Sequence, residues 1–271
     1  MQLQGRVDEV KKQGLGLAAI SYDSQASTAD FSKRRGITFP LLSDPGSETI
    51  KKYGIFNTTV DPKTSNYGIP FPGTFILDRR GVVTARFFEH GHQERNTVST
   101  NLLMLGIDGT TIPGTRHTTD HLELTTRVSD QILSPGEIFS LVLDVTPRPR
   151  MHVYAPGAEK QGYKVIALNL EPHPLLKVRP VQFPASEIYH FVPLDERVPV
   201  YQKPFRFVQE ANFEISNEAQ KQLASMTSFT VKGTLDYQAC DDKICYNPLS
   251  VPVSWTFSLR QLDRERANVP R

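Results

Sequence analysis

The spacing of apolar positions changes near residue 112. Before it, Leu3, Val7 and Val10 recur at helical spacing, and Lys12-Gln13-Gly14 closes that helix with a basic last turn and a glycine. Leu15-Gly-Leu-Ala-Ala-Ile-Ser21 is a short apolar run of the kind that forms a buried parallel strand. Ser27-Thr28 opens a second helix that runs to Gly36. Phe39 to Asp44 reads as extended, and Ser47 to Tyr53 as a helix closed by Gly54. Gly73–Asp78 and Val82–Phe88 are two strands turned at Arg79-Arg80-Gly81. This order of helix, strand, helix, helix and hairpin is that of the second portion of a thioredoxin-like α/β layer.

Past residue 112 the period shortens to two, as in Phe139-Ser-Leu-Val-Leu-Asp-Val145 and Val251-Pro-Val-Ser-Trp-Thr-Phe257. Strands are expected over Leu122–Val128, Ile138–Val145, His152–Tyr154, Val165–Leu170, Phe205–Val208, Phe229–Asp236 and Val251–Leu259, with one helix at Asn217–Leu223. About seven short strands separated by proline-rich turns favour an all-β antiparallel sandwich. Trp255 belongs in its core. Asp108 to about residue 120 is rich in turn formers and reads as a linker. The expected organisation is an incomplete α/β domain over 1–107, a linker over 108–120, a β-sandwich over 121–262 and a frayed polar tail over 263–271.

Composition narrows the classes. Among 271 residues, 31 basic and 29 acidic groups give a net charge of +2 with neither sign concentrated, which argues against a nucleic-acid partner. No apolar run is long enough to cross a bilayer as a helix. Met1 to Val10 has neither the basic start nor the apolar stretch of an export signal.

Cysteine usage points to the chemistry. Both cysteines, Cys240 and Cys245, fall in Tyr237-Gln-Ala-Cys-Asp-Asp-Lys-Ile-Cys-Tyr-Asn-Pro248, between two strand-like runs. A pair this close can close a ring and reopen it, which is what carrying two electrons as dithiol or disulfide requires. Asp241 and Asp242 disfavour a thiolate and Lys243 favours one, so the pair suits attack by a partner's more acidic thiol. Cys240 is taken as the attacked sulfur. The alternative is a disulfide that only staples a hairpin in a non-catalytic interaction or scaffold protein. Two thiols without further ligands do not make a zinc site, and no metal or other cofactor is expected. Glu89-His-Gly-His92 and the pair His117 and His121 lack a full ligand set and are read as solvated loops.

Two resemblances sharpen these readings. Ile37-Thr-Phe-Pro-Leu-Leu-Ser-Asp-Pro45, Ile50-Lys-Lys-Tyr-Gly-Ile55 and Pro72-Gly-Thr-Phe-Ile-Leu-Asp-Arg-Arg-Gly81 resemble the AhpC/TSA-type redoxins, the peroxiredoxins and their thioredoxin-like relatives, over about residues 3–105. That likeness implies an antioxidant oxidoreductase and a cis bond before Pro72. Redoxins carry their attacking cysteine in a preceding segment, and residues 1–239 of this chain hold no thiol. The expectation is therefore a piece of a longer product, or else a degenerate redoxin module kept for packing or recognition, and in either case the redoxin part cannot act as a peroxidase in this chain.

The second resemblance spans about 120–260. The segment Tyr237–Pro248, with Met151-His-Val-Tyr-Ala-Pro156, is similar to the N-terminal immunoglobulin-like domain of DsbD, which relays electrons between thiol proteins. It implies that Cys240 and Cys245 are the exchanging pair. Tyr154 is then the capping aromatic with Phe191 next in line, and Tyr237 and Tyr246 flank the pair. The implied partner is a thioredoxin-like or membrane thiol-disulfide reductase, and the implied location is periplasmic or otherwise extracytoplasmic.

Overall fold

A computed structural model describes residues 2–64, 67–88, 94–107, 112–192 and 195–260. The chain divides into two compact units, Met1–Gly109 and Thr110–Arg271.

In the N-terminal unit the first helical stretch forms as Gln2–Gly5 and Val7–Lys12. Val10 packs with Val98 and Leu102, against Leu15, Leu17 and Ile107. Ala19–Ser21 pairs in parallel with Leu41–Ser43. The expected buried strand is corrected here: Ile20 and Leu42 are both exposed, because no further strand joins this pair among the described residues. The helix Gln25–Arg35 is capped by Ser24, whose hydroxyl accepts the Ser27 N–H, and Gly36 ends it at φ 60°. Ser24 rather than Ser27 or Thr28 is therefore the cap, and the helix starts a turn earlier. Glu48–Lys52 is held at its start by Asp44, whose carboxylate accepts the Glu48 and Ile50 N–H groups. Val98–Met104, capped by Thr97, is a helix that the apolar pattern did not announce.

Gly73–Leu77 and Val83–Phe88 form the expected hairpin. Its turn is locked by Asp78, which accepts the Arg80 and Val82 N–H groups. Gly73 is required by close approach, since a methyl there would meet the Phe88 ring at 2.6 Å. The peptide bond before Pro72 is trans, correcting the expected cis bond. Trans is the ordinary state of X–Pro bonds; just before it, Phe71 donates its N–H to the Ile55 carbonyl at 2.7 Å as the chain enters the strand.

The C-terminal unit is built from sheets. One runs Leu176–Val178, Phe205–Phe213, Glu137–Pro147, Leu122–Val128 and Thr115–Thr118, all antiparallel. A second runs Ala167–Leu170, Ser228–Tyr237, Leu249–Leu259 and Ile132–Leu133, the last joined in parallel. A third runs Glu187–Phe191, Glu196–Tyr201, His152–Tyr154 and Ala239–Cys240. Thr115–Thr118 lies where a linker was expected; its alternation is polar, but it pairs residue for residue with Glu123–Thr126. Glu187–Phe191 and Glu196–Tyr201 also went unforeseen, because charges and Pro199 interrupt the apolar pattern.

Phe139 and Phe213 from the first sheet meet Phe229 and Phe257 from the second, with ring centroids 5.0–6.0 Å apart. Trp255 is buried in the same cluster. Each such burial contributes about 1.5–3 kcal/mol relative to exposure. The helix Asn217–Ala224, capped by Ser216, adds Ala219 and Leu223 to this core from one of its faces. The calls on Glu89-His-Gly-His92 and on the tail 263–271 lie outside the described residues.

Candidate functional site: a disulfide under a tyrosine hydroxyl

The long strand Ser228–Tyr237 pairs with Leu249–Leu259 up to Tyr237 opposite Leu249. Beyond that point the chain leaves the second sheet. Ala239–Cys240 instead pairs antiparallel with His152–Val153, placing Cys240 opposite His152. The cysteines thus sit on a short strand that joins the third sheet and on the loop after it. The two sulfurs form a disulfide, with Cα atoms 4.1 Å apart.

Alternation along His152–Tyr154 turns Val153 into the main core and Tyr154 to the opposite face. There the Tyr154 hydroxyl lies 3.1 Å from Cys240 Sγ and 3.3 Å from Cys245 Sγ. Disulfide sulfurs carry no proton, so the hydroxyl donates. Tyr154 is buried, and its ring stacks on Tyr163 at 4.1 Å. Tyr163 in turn donates to Glu196 at 2.5 Å. Burial, followed by the neighbouring Tyr163, drives the Tyr154 hydroxyl far above the ordinary phenol value, so it stays protonated at any working pH.

The two sulfur-bearing residues are not equivalent. Cys240 is 1% exposed, whereas Cys245 is an exposed residue. The loop between them is held from within. Asp241 accepts the Lys243 and Ile244 N–H groups, each at 2.7 Å, and the Tyr246 hydroxyl at 3.0 Å. Those donors, led by the Lys243 N–H, hold its carboxyl below the ordinary value. Tyr246 N–H donates to the Ala239 carbonyl across the ring's base. Tyr189 reaches Asp242 at 3.5 Å from the edge strand.

The remaining sequence candidates fall in different places. Tyr246 ties the end of the loop to Asp241 and lies 4.5 Å from the His121 ring. Tyr237 is fully buried in the main core, and its hydroxyl is bonded to Thr119 at 2.8 Å. Phe191 ends the strand Glu187–Phe191, opposite Glu196 in the ladder rather than on the strand beside the sulfurs. Pro72 belongs to the other unit. His117 lies in the strand Thr115–Thr118, and no group of three metal-ligating side chains gathers among the described residues. Sequence reasoning passed over His152, Tyr163, Tyr189 and Glu196. For His152 the signal was present: it stands two residues before Tyr154 in a strand, hence on the same face.

The arrangement is a closed sulfur couple with one residue exposed and one buried, beside a hydroxyl that stays protonated. Residues 1–86 match the AhpC/TSA family. Over 76 residues the chain is 34% identical to the chloroplastic peroxiredoxin Q of Oryza sativa subsp. japonica, which covers 28% of this chain and 32% of that protein. It is 33% identical over 90 residues to alkyl hydroperoxide reductase E of Mycobacterium tuberculosis (strain ATCC 25618 / H37Rv), covering 32% of this chain and 53% of that one. The chain therefore spans between about a third and about half the length of these relatives.

Among solved structures, the N-terminal periplasmic domain of ScsB from Proteus mirabilis aligns with a TM-score of 0.35 and 16% identity, over 51% of this chain and 49% of that one. The reduced N-terminal domain of DsbD from Neisseria meningitidis aligns with a TM-score of 0.29 and 17% identity, over 44% and 81%. No helix among the described residues is long and apolar enough to cross a membrane.

Proposed function

We propose that this chain exchanges electrons with a partner thiol protein through Cys240 and Cys245, carried on a β-sandwich of immunoglobulin type that follows a redoxin segment. The observation that carries this reading is the asymmetry of the couple under Tyr154. An incoming thiolate meets Cys245, not Cys240, which replaces the expectation that Cys240 is attacked: a side chain 1% exposed offers no line of approach to a partner. Attack forms a bond between the partner sulfur and Cys245 Sγ and breaks the bond to Cys240. The electron pair stays on Cys240 Sγ, where the Tyr154 hydroxyl donates to it. The partner's second thiolate then attacks its own sulfur in the mixed disulfide and releases Cys245. Two electrons have entered the pair, and the partner leaves oxidised.

A thioredoxin-like or membrane thiol-disulfide reductase fits as the partner. A closed disulfide in an otherwise cysteine-free chain suits an extracytoplasmic location. The competing reading, a structural staple in a scaffold protein, draws on the burial of Cys240. The reduction potential separates the two. A value of roughly −120 to −270 mV supports exchange, and one below about −300 mV leaves only the staple.

A further inference from the structure

His152 precedes Tyr154 by two residues on the same strand, so both side chains project to the face that holds the sulfurs. Cys240 is its direct antiparallel partner, a position that brings Cβ atoms to about 4.5–5.5 Å. His152 is 3% exposed, lies 4.6 Å from the Tyr189 ring and meets the Tyr154 ring edge-on at 5.6 Å. The polar groups facing it are the Tyr154 hydroxyl on its own strand, the Tyr189 hydroxyl on the edge strand, and Cys240, Asp241 and Asp242 on the cysteine segment. Burial lowers the imidazole's proton affinity, and the carboxylates of Asp242 and Asp241 oppose this only in part. The ring is therefore neutral at pH 7.

A neutral imidazole keeps one unprotonated nitrogen, and set opposite a buried thiol it is a proton acceptor. We propose that His152 takes the proton of Cys240 when the reduced pair gives up its electrons, an inference that rests on the exchange reading above. In the first step the Cys245 thiolate attacks a partner disulfide, R–S–S–R′. A bond forms from Cys245 Sγ to the R-bearing sulfur, and R′–S⁻ leaves. In the second step the Cys240 S–H proton passes to His152, and the freed electron pair attacks Cys245 Sγ. The Cys240–Cys245 bond forms, R–S⁻ leaves, and the imidazolium returns its proton to that thiolate or to water. Two electrons leave the pair and the partner disulfide is reduced. Tyr154 steadies the same sulfur by hydrogen bonding and keeps its own proton, so the two residues have separate tasks.

The test uses the full reduced chain and 5,5′-dithiobis(2-nitrobenzoate), whose coloured thiolate is released once in each step. Wild-type protein should give two phases, the second inflecting below pH 6.5 and level above it. In His152→Gln and His152→Phe the first phase should keep its rate. The second should slow about tenfold to a hundredfold at pH 7 and then climb with pH toward the thiol's own ionisation. Variant profiles that superpose on wild type in the second phase overturn the role of His152 alone. Wild-type protein that releases no second thiolate overturns the exchange reading itself. Should both variants fail to fold, titration of the His152 ring by ¹H–¹⁵N NMR in wild-type protein decides: a pKa that differs between the oxidised and reduced states sustains the proposal, and one that does not move overturns it.

Discussion

Four of the described strands of the N-terminal unit form two separate two-stranded ladders, and Ile20, Leu42, Leu77 and Phe88 remain exposed on them. In the C-terminal unit, strands of up to eleven residues close a continuous aromatic and aliphatic core. The family match falls on the first unit, whereas both thiols fall on the second. The family likeness and the sulfur pair are thus carried by different parts of one chain. A likeness to peroxidases says nothing of what residues 112–260 do, and the sulfur site must be argued from its own geometry.

The sharpest way to break this comparison is to remove the sulfurs. Cys245→Ser in the full chain should abolish exchange with dithiothreitol or a thioredoxin-like protein, since no other couple exists. Any exchange that survives would have to run through Cys240 alone, because residues 1–239 hold no thiol, and would overturn the reading in which Cys245 is the sulfur that meets the partner. Phe139→Ala, which empties a fully buried position between Phe213 and Phe257, should cost about 3–5 kcal/mol in denaturant unfolding. Retention of normal stability would mean that the aromatic core does not hold the second unit.

Tyr154→Phe keeps the ring stacked on Tyr163 but deletes the hydroxyl shared by the two sulfurs. A hydrogen bond to a charged group contributes about 1.5–3 kcal/mol. Reduction followed by stopped flow should therefore slow about tenfold to a hundredfold. Ser24→Ala and Ser216→Ala each delete a helix cap, one in each unit, and should each cost about 1 kcal/mol. Calorimetry should find that each lowers the melting of its own unit.

The smallest effect concerns pH. The Asp241 carboxyl has its pKa lowered from 3.8 in the folded loop. Its contribution is present above that unfolded value and is lost as pH falls through the lower folded one. Amide exchange at Lys243 and Ile244 should accelerate selectively on acidification, ahead of the core strands.

What the sequence disclosed and what it withheld follow one physical division. The cysteine segment and the alternating strands around Phe139 and Trp255 were legible because local period and residue chemistry encode them, whereas Tyr154 was reached only through the family resemblance. The sheet switch after Tyr237 was not, because it depends on Ala239–Cys240 finding His152–Val153 some 86 positions away in the chain. The polar strand Thr115–Thr118 was equally hidden, since its identity comes from its partner rather than its own pattern. The difference in exposure between Cys240 and Cys245 is also a product of packing. Spacing alone made them look alike.

The ladder from Ser228 to Tyr237 against Leu249 to Leu259 is complete before the chain reaches either sulfur. Closing so small a ring restrains the unfolded chain by only about 2 kcal/mol. Opening it should therefore leave the surrounding architecture standing, so that the reduced protein keeps its sheets and melts only slightly earlier than the oxidised one.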